Sequence, residues 1–142
     1  MRKVSDILAR KGKLVISVSP EIPVIEALRI IADKNIGSVA VVFQDQWLGL
    51  VTERDYARKV VLKGKSSSQL SAADIMTTLL PRVNPDHSME DCMLLMSENN
   101  IRYLPVFENE KLCGLVSIND VIRETIHYQQ ETIEQLHSYI QS

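Results

Sequence analysis

The sequence is poor in the residues that usually announce catalysis. Its 142 residues include two cysteines and three histidines. His87 stands in a polar loop before a helical stretch, and His127 and His137 fall on the last one. None has a Cys, Asp or Ser at zinc-ligand or triad spacing, so all three read as surface residues and no metal site is expected. A Walker loop, a Gly-x-Gly-x-x-Gly turn and a glycosidase-type carboxylate pair are all missing. These absences point away from an enzyme. Cys92 and Cys113 read as lying on a helix face and at a strand start; two buried free thiols in a reducing cytosol are expected, with a disulfide as the alternative.

Long apolar runs and excess charge are missing as well. No purely apolar run exceeds five residues, as at Val39–Phe43, far too short to span a bilayer. Arg2 and Lys3 precede no apolar segment, so no secretory leader is expected. Sixteen basic residues against eighteen acidic ones leave a net charge of −2, which gives no electrostatic case for nucleic acid. What is present is 45% hydrophobic content, enough for one compact core or two small packed halves.

The chain is organised around a duplicated heptapeptide. Gly49-Leu50-Val51-Thr52-Glu53-Arg54-Asp55 recurs as Gly114-Leu115-Val116-Ser117-Ile118-Asn119-Asp120. Each copy reads as a glycine turn, an apolar strand end, a hydroxyl residue, and an aspartate three positions into a helix. Ser/Thr-x-x-Asp is a capping box that can serve only its own helix. It also sets a hydroxyl and a carboxylate at a helix mouth, where free N–H groups and the helix dipole favour an anion.

Sliding the chain by 65 residues superposes Val18, Pro20, Asn35, Ile36 and Val41 on Val83, Pro85, Asn100, Ile101 and Val106, as well as the two heptapeptides. Asp6-Ile7 matches Asp74-Ile75 at 68, so the first copy carries three extra residues near Lys11–Lys13. In each copy the periodicity predicts strand, helix, strand, strand, helix. In the first, these are Val15–Val18, a helix opened by Pro23, Val39–Phe43, Trp47–Thr52 and Glu53–Leu62. In the second, they are Arg82-Val83, a helix capped by Ser88 with Met89, Met93 and Met96 inward, Tyr103–Phe107, Lys111–Val116 and a long final helix. Short leader helices are expected at Ser5–Arg10 and Ser71–Met76. Gly64 and Ser66–Ser68 mark the linker. The expected boundaries are 1–62 and 71–126 for the repeats, 63–70 for the linker and 127–142 for a helical extension. On that last helix Ile122, Ile126, Ile133, Leu136 and Ile140 sit at alternating spacings of four and three with only Gln129 interrupting, a seam that suits pairing with a second subunit or folding back on its own domain.

The doubled pattern of strand, amphipathic helix, hairpin and Gly-h-h-[Ser/Thr]-x-x-Asp resembles a tandem pair of cystathionine-β-synthase (CBS) domains. The likeness runs from Val4 to Ile126, and Thr52–Lys59 with Ile101–Val106 is similar to the free-standing bacterial pairs. It implies a mixed α/β (α+β) fold of two βαββα repeats packed as a pseudo-two-fold pair, with an extended C-terminal helix. It also implies an adenine nucleotide, AMP first and ADP, ATP or NAD(H) otherwise, bound in a cleft between the repeats and sensed without being transformed. By the resemblance, a first site takes Thr52, Arg54, Asp55, Arg58, Thr77, Pro81, Ile101, Arg102 and Tyr103. The second takes Ile16, Ile36, Gly37, Ser38, Ser117, Asn119 and Asp120. Many family members have histidine where this chain has Tyr103.

The chemistry suits those residues. A carboxylate can accept two hydrogen bonds from a ribose diol, each charge-assisted and contributing about 1.5 to 3 kcal/mol. Arg54, Arg58 and Arg102 make the first site the more basic, and on that ground the stronger, although paired arginines on a helix also occur as a solvated face. The expected partners are an adenine nucleotide, a second copy of the chain and a regulated protein, with no membrane and no nucleic acid. The alternative is a dimerisation scaffold whose nucleotide sites are vestigial.

Overall fold

A computed structural model describes residues 2–141. The elements follow from local chemistry. Helix α2 (Val24–Lys34) buries Val24, Ala27 and Ile31, and it stops where Asn35 turns left-handed at φ 54°. Its counterpart, helix α5 (Met89–Asn99), stops at Asn100 with φ 52°. Asparagine tolerates that region because its short polar side chain can hydrogen-bond to the nearby backbone. Strands β2 (Ser38–Phe43) and β3 (Gln46–Thr52) are joined through Gln44 and Asp45, both at positive φ. Strands β4 (Tyr103–Glu108) and β5 (Lys111–Ser117) are joined in the same way through Asn109 and Glu110. Such turns match the twist of an antiparallel pair.

Strand β1 (Ser17–Val18) pairs in parallel with β2, giving a three-stranded sheet β1-β2-β3; β4 and β5 form a second sheet. At Arg82-Val83, where a strand was expected, only one parallel bridge forms, Val83 to Val106. It is the counterpart of Val18 on Val41. The Ser17–Ala40 pairing has no counterpart at Arg82, because Pro105 stands in the place of Ala40 and has no N–H to donate.

Packing divides the chain into two compact units. One is Val15–Leu80; the other joins the N-terminal segment through Leu14 to the chain from Pro81 onward. The leaders are therefore exchanged between repeats. Helix α1 (Val4–Lys11) buries Val4, Ile7 and Leu8 among Val83, Cys92, Val106 and Val116 of the second repeat. Helix α4 (Ala72–Ile75) buries Ala72 and Ile75 among Val24, Val39 and Val51 of the first. The boundaries 1–62, 63–70, 71–126 and 127–142 follow sequence periodicity, whereas these units follow side-chain burial.

Three local expectations are corrected. On α5 the inward row is Met89, Cys92 and Met96, and Met93, one position on from Cys92 and so about 100° round the helix from it, is 38% exposed. Cys92 and Cys113 are both free thiols, but only Cys92 is buried, where burial pushes its thiol up to about 11; Cys113 is half-buried and not buried as expected. The third correction concerns Gly49 and Gly114, which are strand residues of β3 and β5 and form no turn. A Cβ on Gly49 would lie 2.7 Å from the Thr77 carbonyl oxygen, and one on Gly114 would lie 2.6 Å from Leu8 Cδ2. Each glycine admits a leader segment against the strand.

The final helix, α6 (Ile118–Gln141), starts where β5 ends. Among the described residues, no helix is long and apolar enough to cross a membrane.

The two glycines predict unequal costs. Gly49→Ala meets backbone and should lose about 2 kcal/mol, within the range for overpacking, while Gly114→Ala meets a leucine tip that can rotate and should lose less. Urea unfolding of the two variants against wild type measures the difference.

Candidate functional site

Each heptapeptide delivers a carboxylate to a helix mouth. At the end of β3, Thr52 is extended (φ −121°, ψ 164°) and the chain enters helix α3 (Glu53–Tyr56), which runs on into a π turn, Ala57–Val61. The Thr52 N–H and Oγ1 donate to Asp55 Oδ2 at 2.9 and 3.0 Å, and the Asp55 N–H donates back to Thr52 Oγ1 at 3.0 Å. The capping box is thus formed in full.

The other carboxylate oxygen is engaged from two directions. Thr77 leaves α4 and bridges Leu50, N–H to carbonyl in both senses at 2.8 and 3.0 Å. That bridge turns Thr77 Oγ1 onto Asp55 Oδ1 at 2.8 Å. Lys59 Nζ lies 2.9 Å from the same Oδ1 and donates to the Ile75 carbonyl at 2.8 Å and to Thr77 Oγ1 at 3.4 Å. Asp55 is 6% exposed and accepts from four donors, about all its lone pairs can take.

In the other unit the Ser117 N–H donates to Asp120 Oδ2 at 2.8 Å, and the Asp120 N–H donates to Ser117 Oγ at 3.1 Å. Lys11, at the end of α1, donates to Asp120 Oδ2 at 2.7 Å and to the Leu115 carbonyl at 3.0 Å. Asp120 Oδ1 has Arg123 Nη1 at 3.8 Å, an ion pair beyond hydrogen-bond reach. Asp120 is 9% exposed.

Backbone bonds place the segment after each amphipathic helix beside the mouth of its own repeat. The Glu53 N–H donates to the Gly37 carbonyl at 3.4 Å, and the Ile118 N–H donates to the Arg102 carbonyl at 2.9 Å. Ser38 is paired opposite Thr52, and Tyr103 opposite Ser117. The unit of Asp55 therefore also holds Ile16, Ile36, Gly37, Ser38, Thr52, Arg54, Arg58 and Thr77. The unit of Asp120 holds Pro81, Ile101, Arg102, Tyr103, Ser117 and Asn119. Arg54, Arg58, Arg102 and Asn119 are exposed.

Two residues of these mouths, Lys59 and Lys11, were not foreseen. Lys59 sits four positions after Asp55, a spacing that signals an ion pair on a helix. Lys11 carries no such signal, since it reaches Asp120 only through the exchanged leader. At the position of Lys59 the second repeat has Glu124, 1% exposed and bound by Arg10 Nε at 2.9 Å and Nη2 at 3.4 Å. That hydrogen bond holds the Arg10 guanidinium above its ordinary pKa. Among the described residues, no three metal-binding side chains gather to hold an ion.

The chain belongs to the CBS domain family, which matches residues 4–62 and 72–127. It is 35% identical to the CBS domain-containing protein CBSX3, mitochondrial, of Arabidopsis thaliana, over 97% of this chain and 71% of that protein. Among solved structures, a CBS-domain protein of Burkholderia ambifaria MC40-6 is 41% identical, with a TM-score of 0.86 over 89% of this chain and 95% of that one. The CBS pair of protein MJ0100, solved with 5′-methylthioadenosine and S-adenosyl-L-methionine, is 26% identical, with a TM-score of 0.76 over 87% of this chain and 99% of that one.

The two carboxylates should differ in structural weight. Asp55→Ala deprives Thr52, Thr77 and Lys59 together and should lose about 2 kcal/mol, against about 1 kcal/mol for Asp120→Ala, closer to the loss of a simple cap. Chemical denaturation of both variants without ligand tests the order.

Proposed function

We propose that this chain is a regulatory CBS pair that binds an adenosine-containing ligand at its helix mouths and releases it unchanged. The carrying observation is the repeated placement of a buried carboxylate, Asp55 and Asp120, beside a hydroxyl residue at the start of a helix. Likeness to a pair that holds 5′-methylthioadenosine and S-adenosyl-L-methionine supports an adenosine moiety. In this reading each aspartate accepts from the ribose 2′ and 3′ hydroxyls, and Thr52 or Ser117 faces the phosphate. Arg54, Arg58 and Lys59 around one mouth, and Lys11 and Arg123 around the other, favour an anionic ligand; AMP fits first, then ADP, ATP or NAD(H). Ile16, Ile36, Gly37, Ser38, Thr77, Pro81, Ile101, Arg102, Tyr103 and Asn119 complete the proposed lining. Occupancy would act on a regulated protein through a shift between conformations.

A second reading, a dimerisation scaffold with vestigial sites, has one observation in its favour: all four donors to Asp55 come from the chain itself. Thermal unfolding separates the two. A ligand at a hundred times its dissociation constant adds about 2.7 kcal/mol, which for a chain of this size raises Tm by roughly 8 °C. A panel of AMP, ADP, ATP, NADH and 5′-methylthioadenosine should contain at least one compound with such a shift. No shift from any of them at millimolar concentration would leave the scaffold.

Both readings include a second copy of the chain. On α6, Ile122, Ile126, Ile133, Leu136 and Ile140 are between 46% and 81% exposed. Isoleucine and leucine at spacings of three and four, interrupted at Gln129, suit a self-complementary coiled-coil seam. Ile133→Glu should shift sedimentation from dimer towards monomer while leaving the far-ultraviolet spectrum unchanged; a monomeric wild type would contradict the seam.

A further inference from the structure

The two mouths share one design but differ in how far the chain closes them. Around Asp55 the closure is a circuit. Lys59 Nζ has three N–H donors, and all three are directed inward, to Asp55 Oδ1, the Ile75 carbonyl and Thr77 Oγ1. Thr77 Oγ1 in turn donates its O–H to Asp55 Oδ1. The second repeat lacks both members. Glu124 replaces Lys59 and is turned to Arg10. The counterpart of Thr77 is Gly12 at an offset of 65 and Ala9 at 68, neither with a hydroxyl. Among the described residues, Asp120 Oδ1 accordingly meets Arg123 alone, at 3.8 Å. Among the described residues, the π turn that carries Lys59, closed by Leu62 N–H to the Ala57 carbonyl at 3.0 Å, also occurs in the first repeat alone.

We infer that Lys59 and Thr77 act as a built-in occupant of the first mouth, so that the Asp120 mouth takes ligand first and the Asp55 mouth fills only when the clamp is displaced. This rests on the proposed adenosine binding and adds an order of filling and a residue pair that sets it. A diol offers two neutral O–H donors; at Asp55 it must displace a hydroxyl and an ammonium already in place, whereas at Asp120 one oxygen is within reach without that exchange. The order is the reverse of the one suggested by counting arginines.

Isothermal titration with AMP of wild type, Lys59→Met, Thr77→Val, Asp55→Asn and Asp120→Asn tests it. The expected wild-type result is two classes of site separated at least tenfold in affinity, the tighter lost in Asp120→Asn and the weaker in Asp55→Asn. Lys59→Met, which keeps the aliphatic stem, and Thr77→Val should each tighten the weaker class about fivefold and leave the tighter one unchanged. Loss of the tighter class in Asp55→Asn, or identical isotherms for wild type, Lys59→Met and Thr77→Val, overturns the inference while adenosine binding stands. Absence of heat with every protein overturns the proposed function and this inference with it.

Discussion

A missing side chain decides how the first mouth is built. Because Gly49 has no Cβ, the Thr77 carbonyl can approach the strand and bridge Leu50, adding a residue to the edge of the sheet. That bridge turns the Thr77 hydroxyl onto Asp55 and brings the Ile75 carbonyl within reach of Lys59. Cap, sheet edge and ion pair thus hang on a single close approach. In the other unit Gly114 admits a leucine side chain in place of backbone, and there the clamp does not form.

Exchange of the leaders depends on two kinds of contact in the α1 unit. Val4, Ile7 and Leu8 are buried among residues of the second repeat, which supplies the nonspecific part of the attraction. Glu124 supplies direction: a carboxylate 1% exposed needs a partner, and Arg10 and Arg2 both come from the N-terminal segment. Arg2 also pairs with Glu131 and lies 5.7 Å from the Tyr128 ring, so the N-terminal segment is fastened along the base of α6. The same position therefore serves opposite charges in the two copies, lysine to close a mouth and glutamate to hold a leader.

Much of this fold was legible because its signals are local. Asn35 and Asn100 end helices, Ser88 caps one, and the repeat itself is visible as a constant offset. What was not legible depends on chain meeting chain far apart in sequence. Gly49 and Gly114 look like turn residues until their neighbours are known, and Met93 looks inward until Cys92 is seen to complete the stripe. The exchange of α1 and α4 leaves no periodic trace, since each leader has an apolar face that either core could bury. Lys59 was hidden for a different reason: beside Arg54 and Arg58 it reads as one more solvated charge, and only Thr77 and the Ile75 carbonyl single it out.

The cap and the ligand are often set against each other when Ser/Thr-x-x-Asp is read, yet in this chain the cap uses only one of the two carboxylate oxygens. Thr52 and Ser117 each give the backbone N–H to Oδ2 of the aspartate three residues on. Oδ1 is left to whatever the rest of the chain provides, which is Thr77 and Lys59 at one mouth and a distant Arg123 at the other. A diol at Oδ1 would leave the cap intact and exchange one set of donors for another. Donors to a carboxylate contribute about 1.5 to 3 kcal/mol each whichever molecule supplies them, so the net free energy of such an exchange is small. A site with a small difference between closed and filled is responsive over an accessible range of ligand concentration, which is what a sensor requires.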